Sequence, residues 1–112
     1  MLEPQFSEIL KRRIELIQST LSSKAVEYAK VDRLYNFKRA ACILNTTPQR
    51  ALSGMLIKHI VSVLDLIEGE ELPARPLMEE KIGDSINYLI LLEAIFREQM
   101  NAKNMIGVRG QE

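Results

Sequence analysis

Residues 79–92 read EEKIGDSINYLILL, and this stretch decides which fold the chain can adopt. It opens with two acids and then becomes apolar almost all the way round. This pattern predicts a helix whose first half meets a polar site and whose second half is buried on every side. Helical spacing places Glu80, Asp84 and Asn87 on one stripe, so two carboxylates and an amide point the same way. Such a helix belongs at the centre of its domain.

Length and composition exclude several classes of protein. The 112 residues suit one domain with a single core. Fifteen basic and fifteen acidic residues cancel, so no strong field attracts nucleic acid or an anionic membrane. The single cysteine, Cys42, cannot form an internal disulfide, and no apolar run is long enough to span a membrane. We therefore expect a cytoplasmic protein without a nucleic-acid or membrane partner.

The apolar periodicity predicts an all-α fold, a bundle of four helices. The expected helices run from Ser7 to between Ser22 and Tyr28, from Leu34 to Leu44, from Thr47-Pro48 to Gly69, and from Pro76 to about Met100. Residues 1–100 would form this single domain, and residues 101–112 would form a flexible C-terminal tail. The strongly apolar fourth helix also predicts a homo-oligomer.

A set of carboxylates is the first candidate for chemistry. Glu80 and Asp84 would be joined by Glu27 and Asp32 if the bend near residue 33 packs on the start of the fourth helix. Acids that converge from different helices are typical of a Mg²⁺ site. The alternative is that these acids only favour the helix N-terminus or form a solvated face. Asn87 favours a site, because a buried amide needs hydrogen-bond partners.

Basic residues form a second candidate set. Arg33 and Lys58 are suited to neutralising phosphate charge. Lys58 lies one helical turn before Ser62 and two before Asp65, so it would project into the same polar site, or else belong to a surface ion-pair relay. His59 is more typical of a hydrogen-bonded core residue than of a ligand or base.

Gly83 is informative because glycine inside a helix costs about 1 kcal/mol relative to alanine. Its position beside Asp84 predicts the close approach of another helix backbone or of a ligand.

Two segments resemble the MazG-like all-α nucleotide pyrophosphohydrolases. Residues 79–89 are similar to the acidic helix of that superfamily, and residues 24–37 resemble the E-Y…D-R-x-x-N-F segment of its small phage-type members. The likeness covers most of residues 20–97. It implies an oligomeric bundle, a Mg²⁺ site and cleavage of a nucleoside triphosphate to monophosphate and pyrophosphate.

The resemblance also implies roles for individual residues. Glu80 and Asp84 would be the catalytic and metal-binding acids, and Glu27 or Asp32 would complete the metal cage. The expected substrate-binding residues are Arg33, Asn36, Lys58, Asp65 and Asn87.

The chain also departs from the family pattern. The family usually has an E-x-x-E pair on the preceding helix, where this chain has Lys58, Ser62 and Asp65. Lys81 stands where a further acid is expected. Fewer carboxylates and an extra cation disfavour a two-metal site. The alternatives are therefore a non-catalytic phage protein in the host cytoplasm that sequesters a nucleotide or nucleotide-derived signal to blunt a host defence, and a helical interaction module without a ligand.

Overall fold

The computed structural model describes residues 1–23 and 32–111, with side chains described as far as Met105. Within these ranges the chain forms four α-helices and no strand, which confirms the predicted all-α class. The helices are α1 (Glu3–Ser23), α2 (Tyr35–Leu44), α3 (Pro48–Glu68) and α4 (Arg75–Gln111).

Local capping explains the bounds of α3. The Thr47 side chain accepts a hydrogen bond from the backbone N–H of Arg50 at 3.3 Å, and Pro48 occupies the first helical position. At the other end, the Gly69 N–H donates to the Asp65 carbonyl at 3.1 Å. Both predicted ends of α3 are confirmed. Asn45, at φ 53° in the left-handed region, follows the end of α2 as predicted.

The outer ends of α1 and α4 differ from the sequence-based prediction. The expected cap at Ser7 was wrong, because α1 begins four residues earlier, at Glu3. The Gln5 side chain accepts a hydrogen bond from the Leu2 N–H at 3.0 Å and so stabilises this earlier start. The expected end of α4 near Met100 was also wrong, since the helix continues to Gln111. No proline follows Pro76 to interrupt it. The flexibility of residues 101–112 stays a prediction.

The core lies where α2, α3 and α4 meet. Leu34, Phe37, Leu52 and Ile95 are buried there, and Leu52 is fully enclosed. The Tyr88 ring packs edge-on against Phe37 with 6.2 Å between centroids. The longest packing interface joins α3 to α4, whereas α1 contacts α4 over a shorter length. The α4 segment from residue 79 to 92 is thus central to the fold.

Several apolar residues remain exposed in the single chain. Leu89 is 49% and Ile90 is 40% exposed, so the second half of the 79–92 stretch is not buried on every side as predicted. On α3, a stripe at helical spacing is also exposed, and it comprises Ile57, Ile60, Val61, Leu64 and Ile67. We call this set the α3 stripe. None of the described helices combines the length and the apolar character needed to cross a bilayer.

Candidate functional site

Two clefts meet along one side of α4. The first has a volume of about 440 Å³ and separates α4 from α1; we call it the arginine cleft, and Arg12, Arg13, Glu79, Glu80 and Gly83 are among its lining residues. The second measures about 350 Å³; we call it the tyrosine cleft, and Arg33, Asn36, Phe37, Met55 and Tyr88 are among its lining residues. Thr20, Asp84 and Asn87 line both clefts.

Five of the residues predicted from the sequence line these clefts. Asp84, Asn87, Arg33 and Asn36 line the tyrosine cleft. Glu80 lines the arginine cleft together with Asp84 and Asn87. The predicted stripe of two carboxylates and an amide therefore faces one continuous depression. The residues of this stripe belong to α4. Asn36 lies at the start of α2, and Arg33 lies just before that helix.

Asp32 has a different environment from the one predicted. Its carboxylate pairs with the Lys38 ammonium and accepts a hydrogen bond from the Leu34 N–H at 2.9 Å. The Lys38 hydrogen bond is the main reason that the pKa of Asp32 lies below its ordinary value, and the Leu34 N–H adds to the effect. Asp32 is not among the lining residues of either cleft. In this structure it orders the start of α2.

Lys58 and Asp65 also lie outside the lining of both clefts. Both residues are exposed on α3. The Lys58 carbonyl accepts a hydrogen bond from the Ser62 hydroxyl at 3.3 Å. The expectation that Lys58 projects into the same polar site as the α4 acids therefore receives no support from this geometry.

The described residues do not assemble a metal cage by themselves. Among residues 1–23 and 32–111, no group of three or more His, Cys, Asp or Glu side chains is arranged to hold a metal ion. Glu80 has Lys81 as its neighbour, at 3.9 Å, and Asp84 has His59, at 3.6 Å. Glu27, the other predicted ligand, lies outside the described residues. The magnesium site stays a prediction.

Asn87 is one of two residues in the described part of the chain with a buried polar side-chain atom that has no hydrogen-bond partner. Its Oδ1 atom is buried and accepts no hydrogen bond from the described residues. A buried acceptor without a donor costs about 1–3 kcal/mol. Because Asn87 lines both clefts, a ligand donor placed where they meet could satisfy this oxygen. The Ser85 hydroxyl is likewise buried without a partner in the described part of the chain.

A charged cluster stands at the start of α4. The Glu79 carboxylate accepts from Arg12 Nε at 3.1 Å and from Arg75 Nε at 3.3 Å. Burial raises the pKa of Glu79, but the hydrogen bond and charge of Arg12 and the charge of Arg75 outweigh burial and hold this pKa below its ordinary value. Arg13 Nη1 donates instead to the Glu79 backbone carbonyl at 3.1 Å. The cluster ties α1 to α4.

Gly83 makes room for one member of this cluster. A Cβ added to Gly83 would lie 2.8 Å from Arg13 Nη1, which is closer than such atoms approach in proteins. The predicted close approach is therefore present, but the neighbour is a guanidinium group rather than a helix backbone or a ligand. The prediction was wrong about the kind of neighbour.

Arg12, Arg13 and Tyr88 were not among the site residues predicted from the sequence. Two signals in the sequence pointed toward the arginines: Gly83 requires a close neighbour, and Arg12-Arg13 is a pair of adjacent cations on α1. The sequence does not reveal which helix supplies that neighbour, because the register between α1 and α4 depends on tertiary packing.

Comparisons of the chain with protein-family models, with curated proteins and with solved structures found no match. The likeness to MazG-like proteins therefore depends on the two sequence segments alone.

Proposed function

We propose that this chain binds a nucleotide or a nucleotide-derived small molecule where the arginine and tyrosine clefts meet. The observation that carries the proposal is Asn87, which lines both clefts and whose buried Oδ1 accepts no hydrogen bond from the described residues. Nucleobases present N–H donors, and one such donor would supply the missing hydrogen bond.

The surroundings of Asn87 support the same class of ligand. Each cleft falls within the range of volumes that hold small ligands. Phe37 and Tyr88 provide aromatic surface along the tyrosine cleft, and Arg12 and Arg13 bring guanidinium groups to the arginine cleft. Guanidinium groups match the geometry of phosphate oxygens. A base and an anionic group can therefore be recognised within one connected depression.

A second candidate function is hydrolysis of a nucleoside triphosphate to monophosphate and pyrophosphate. Glu80 and Asp84 favour it, because they line the arginine cleft one helical turn apart and their side chains are 62% and 36% exposed. Mg²⁺ is commonly held by one or two carboxylates together with substrate phosphates. Glu80 and Asp84 would hold the ion, and the ion would polarise a phosphoryl oxygen.

Binding ranks ahead of hydrolysis because the described residues offer two acids to such an ion rather than a cage.

We also propose that the chain forms a homo-oligomer. The exposed α3 stripe supports this, since a second copy could cover it.

A thermal-shift screen tests both candidate functions. The common ribonucleotides and deoxyribonucleotides are added with and without Mg²⁺, and a bound ligand raises the unfolding midpoint. Asn87→Ala should weaken binding by about tenfold or more, since an otherwise unsatisfied acceptor makes a larger contribution than an average hydrogen bond. Asn101→Ala, at an exposed position further along α4, is the matched control.

The outcomes separate the candidates. If no nucleotide shifts the midpoint of the wild-type chain, the binding proposal is wrong. Pyrophosphate release that requires Mg²⁺ and is lost in both Glu80→Ala and Asp84→Ala would establish hydrolysis. Binding without release under any condition would reject it.

A further inference from the structure

Arg13 differs from the other two arginines of the charged cluster in having no carboxylate partner among the residues that the structure describes. Arg12 and Arg75 both pair with Glu79. None of the ion pairs among the described residues involves Arg13, whose guanidinium group donates to a neutral backbone carbonyl. Arg13 is also partly buried. A cation that is partly withdrawn from water and lacks a counter-charge is suited to binding an anion.

The position of Arg13 depends on Gly83. The guanidinium lies where a side chain at position 83 would begin, because a Cβ there would be 2.8 Å from Arg13 Nη1. Glycine is the poorest helix former apart from proline, and Gly83 lies within a long helix. The glycine is buried and lines the arginine cleft together with Arg13. A residue that weakens the helix thereby allows a cation to sit against α4.

The arginine cleft also contains negative charge, which limits where an anion can bind. Glu79, Glu80 and Asp84 line it as well. Glu79 is neutralised by two arginines, whereas the cationic partners of Glu80 and Asp84 within residues 1–23 and 32–111 are Lys81 and His59. A further cleft of about 520 Å³ shares Arg12 and Arg13 and is also lined by Glu8, Lys11 and Glu15. An anion is therefore favoured near Arg13 and opposed near Glu80 and Asp84.

We infer that Arg13, held against Gly83, is the oxyanion-binding residue of this site and that it takes a phosphate group of the ligand. The inference rests on the proposed nucleotide-binding function and adds the orientation of the ligand in the two clefts. The phosphate lies at the guanidinium group beside Gly83, and the base lies toward Asn87 and the tyrosine cleft. Gly83 is required for ligand recognition rather than for folding.

Gly83→Ala separates these two roles. The atom that must move is the far end of a flexible arginine side chain, and alanine is the better helix former. The variant should therefore unfold at the same temperature as wild type or higher. Its affinity for inorganic pyrophosphate and for the common nucleoside triphosphates should fall by about tenfold or more, the size expected for a lost charged hydrogen bond. Affinity for the corresponding uncharged nucleosides should not change.

Arg13→Gln should cause the same loss of affinity for pyrophosphate and nucleoside triphosphates, and Arg12→Gln is its matched control. Arg12 is 51% exposed and already engaged by Glu79, so its removal should weaken anion binding less than removal of Arg13. Glu79→Gln should act in the opposite direction, since it frees Arg12 and Arg75 from a competing carboxylate while the backbone carbonyl that orients Arg13 is retained. Its affinity for pyrophosphate should rise. Isothermal titration calorimetry measures all four variants.

The result distinguishes this inference from the proposed function. If the wild type binds a nucleotide and both Gly83→Ala and Arg13→Gln bind it equally well, the inference is wrong and the binding function stands. If the wild type binds pyrophosphate but no nucleotide, and both variants lose pyrophosphate, Arg13 is an oxyanion site and the nucleotide proposal fails. If the wild type binds neither probe, both are rejected.

Discussion

His59 on α3 and Asp84 on α4 face each other, with 3.6 Å between the imidazole Nδ1 and the carboxylate Oδ2. This distance exceeds that of a direct hydrogen bond, so the two groups are polar neighbours rather than a tight pair. The imidazole ring also lies 4.7 Å from the Tyr88 ring, centroid to centroid. His59 therefore contacts two residues that line the tyrosine cleft.

Truncation of His59 should affect stability more than truncation of Asp84. His59→Ala removes a ring that is 20% exposed and packs on Tyr88, and we expect the free energy of unfolding to fall by roughly 0.5–3 kcal/mol. Asp84→Ala removes a partly exposed charge without a direct hydrogen bond and should cost less than about 1 kcal/mol. Urea unfolding of both variants measures the difference. Equal losses would contradict this account of the contact.

The core at the junction of α2, α3 and α4 predicts a second stability difference. Leu52 is completely buried, so Leu52→Ala should lower the free energy of unfolding by about 2–5 kcal/mol through lost burial and cavity formation. Leu72, which is 96% exposed between α3 and α4, provides the matched control. Leu72→Ala should change the value by no more than about 0.5 kcal/mol. A comparable loss in both variants would place the core elsewhere.

The parts of the fold that depend on neighbouring residues could be predicted from the sequence. Thr47 and Pro48 start α3, and Gly69 follows its end, because capping is decided within one turn of the chain. The shared stripe of Asp84 and Asn87 follows from helical geometry alone, and both line the clefts.

Features that depend on how two helices pack could not be predicted in this way. Gly83 showed that something approaches α4, but only the packed structure identifies Arg13 as the neighbour. Lys58 has suitable chemistry for phosphate, yet it projects from a part of α3 that lines neither cleft. The direction that each helix face takes within the bundle is set by the summed packing of all four helices, which no local pattern encodes.

The stability of the chain should depend on pH through Asp32. Its folded-state pKa is lowered, chiefly by the Lys38 hydrogen bond, from an ordinary value of 3.8. The ionised pair therefore stabilises the fold fully above about pH 4, and this contribution is lost as the pH falls through the lower folded-state pKa. Because Asp32 and Lys38 are both partly exposed, the contribution should not exceed about 1 kcal/mol.

Two substitutions separate the charge of Asp32 from the hydrogen bond that it accepts from the Leu34 N–H. Asp32→Asn removes the charge but keeps an oxygen that can accept from the Leu34 N–H, whereas Asp32→Ala removes both. Urea unfolding between pH 3 and pH 7 should show a flatter acid limb for both variants than for wild type. At neutral pH, Asp32→Ala should be the less stable of the two. An unchanged acid limb in Asp32→Asn would show that other carboxylates control the pH dependence.

The α3 stripe should mediate self-association. Val61 and Leu64 are 49% and 45% exposed in the single chain, and they lie within a row of apolar residues at helical spacing. If a second copy covers this row, Leu64→Glu should convert the oligomer to a monomer, because a buried charge without a partner is costly. The fold of each chain should be retained, since the side chain is exposed before association.

Leu72→Glu places the same charge at a more exposed position outside the stripe and should leave the molar mass unchanged. Size-exclusion chromatography with light scattering measures the mass of wild type and both variants. A wild-type mass equal to that of one chain, or an oligomer that survives Leu64→Glu, would rule out this stripe as the interface.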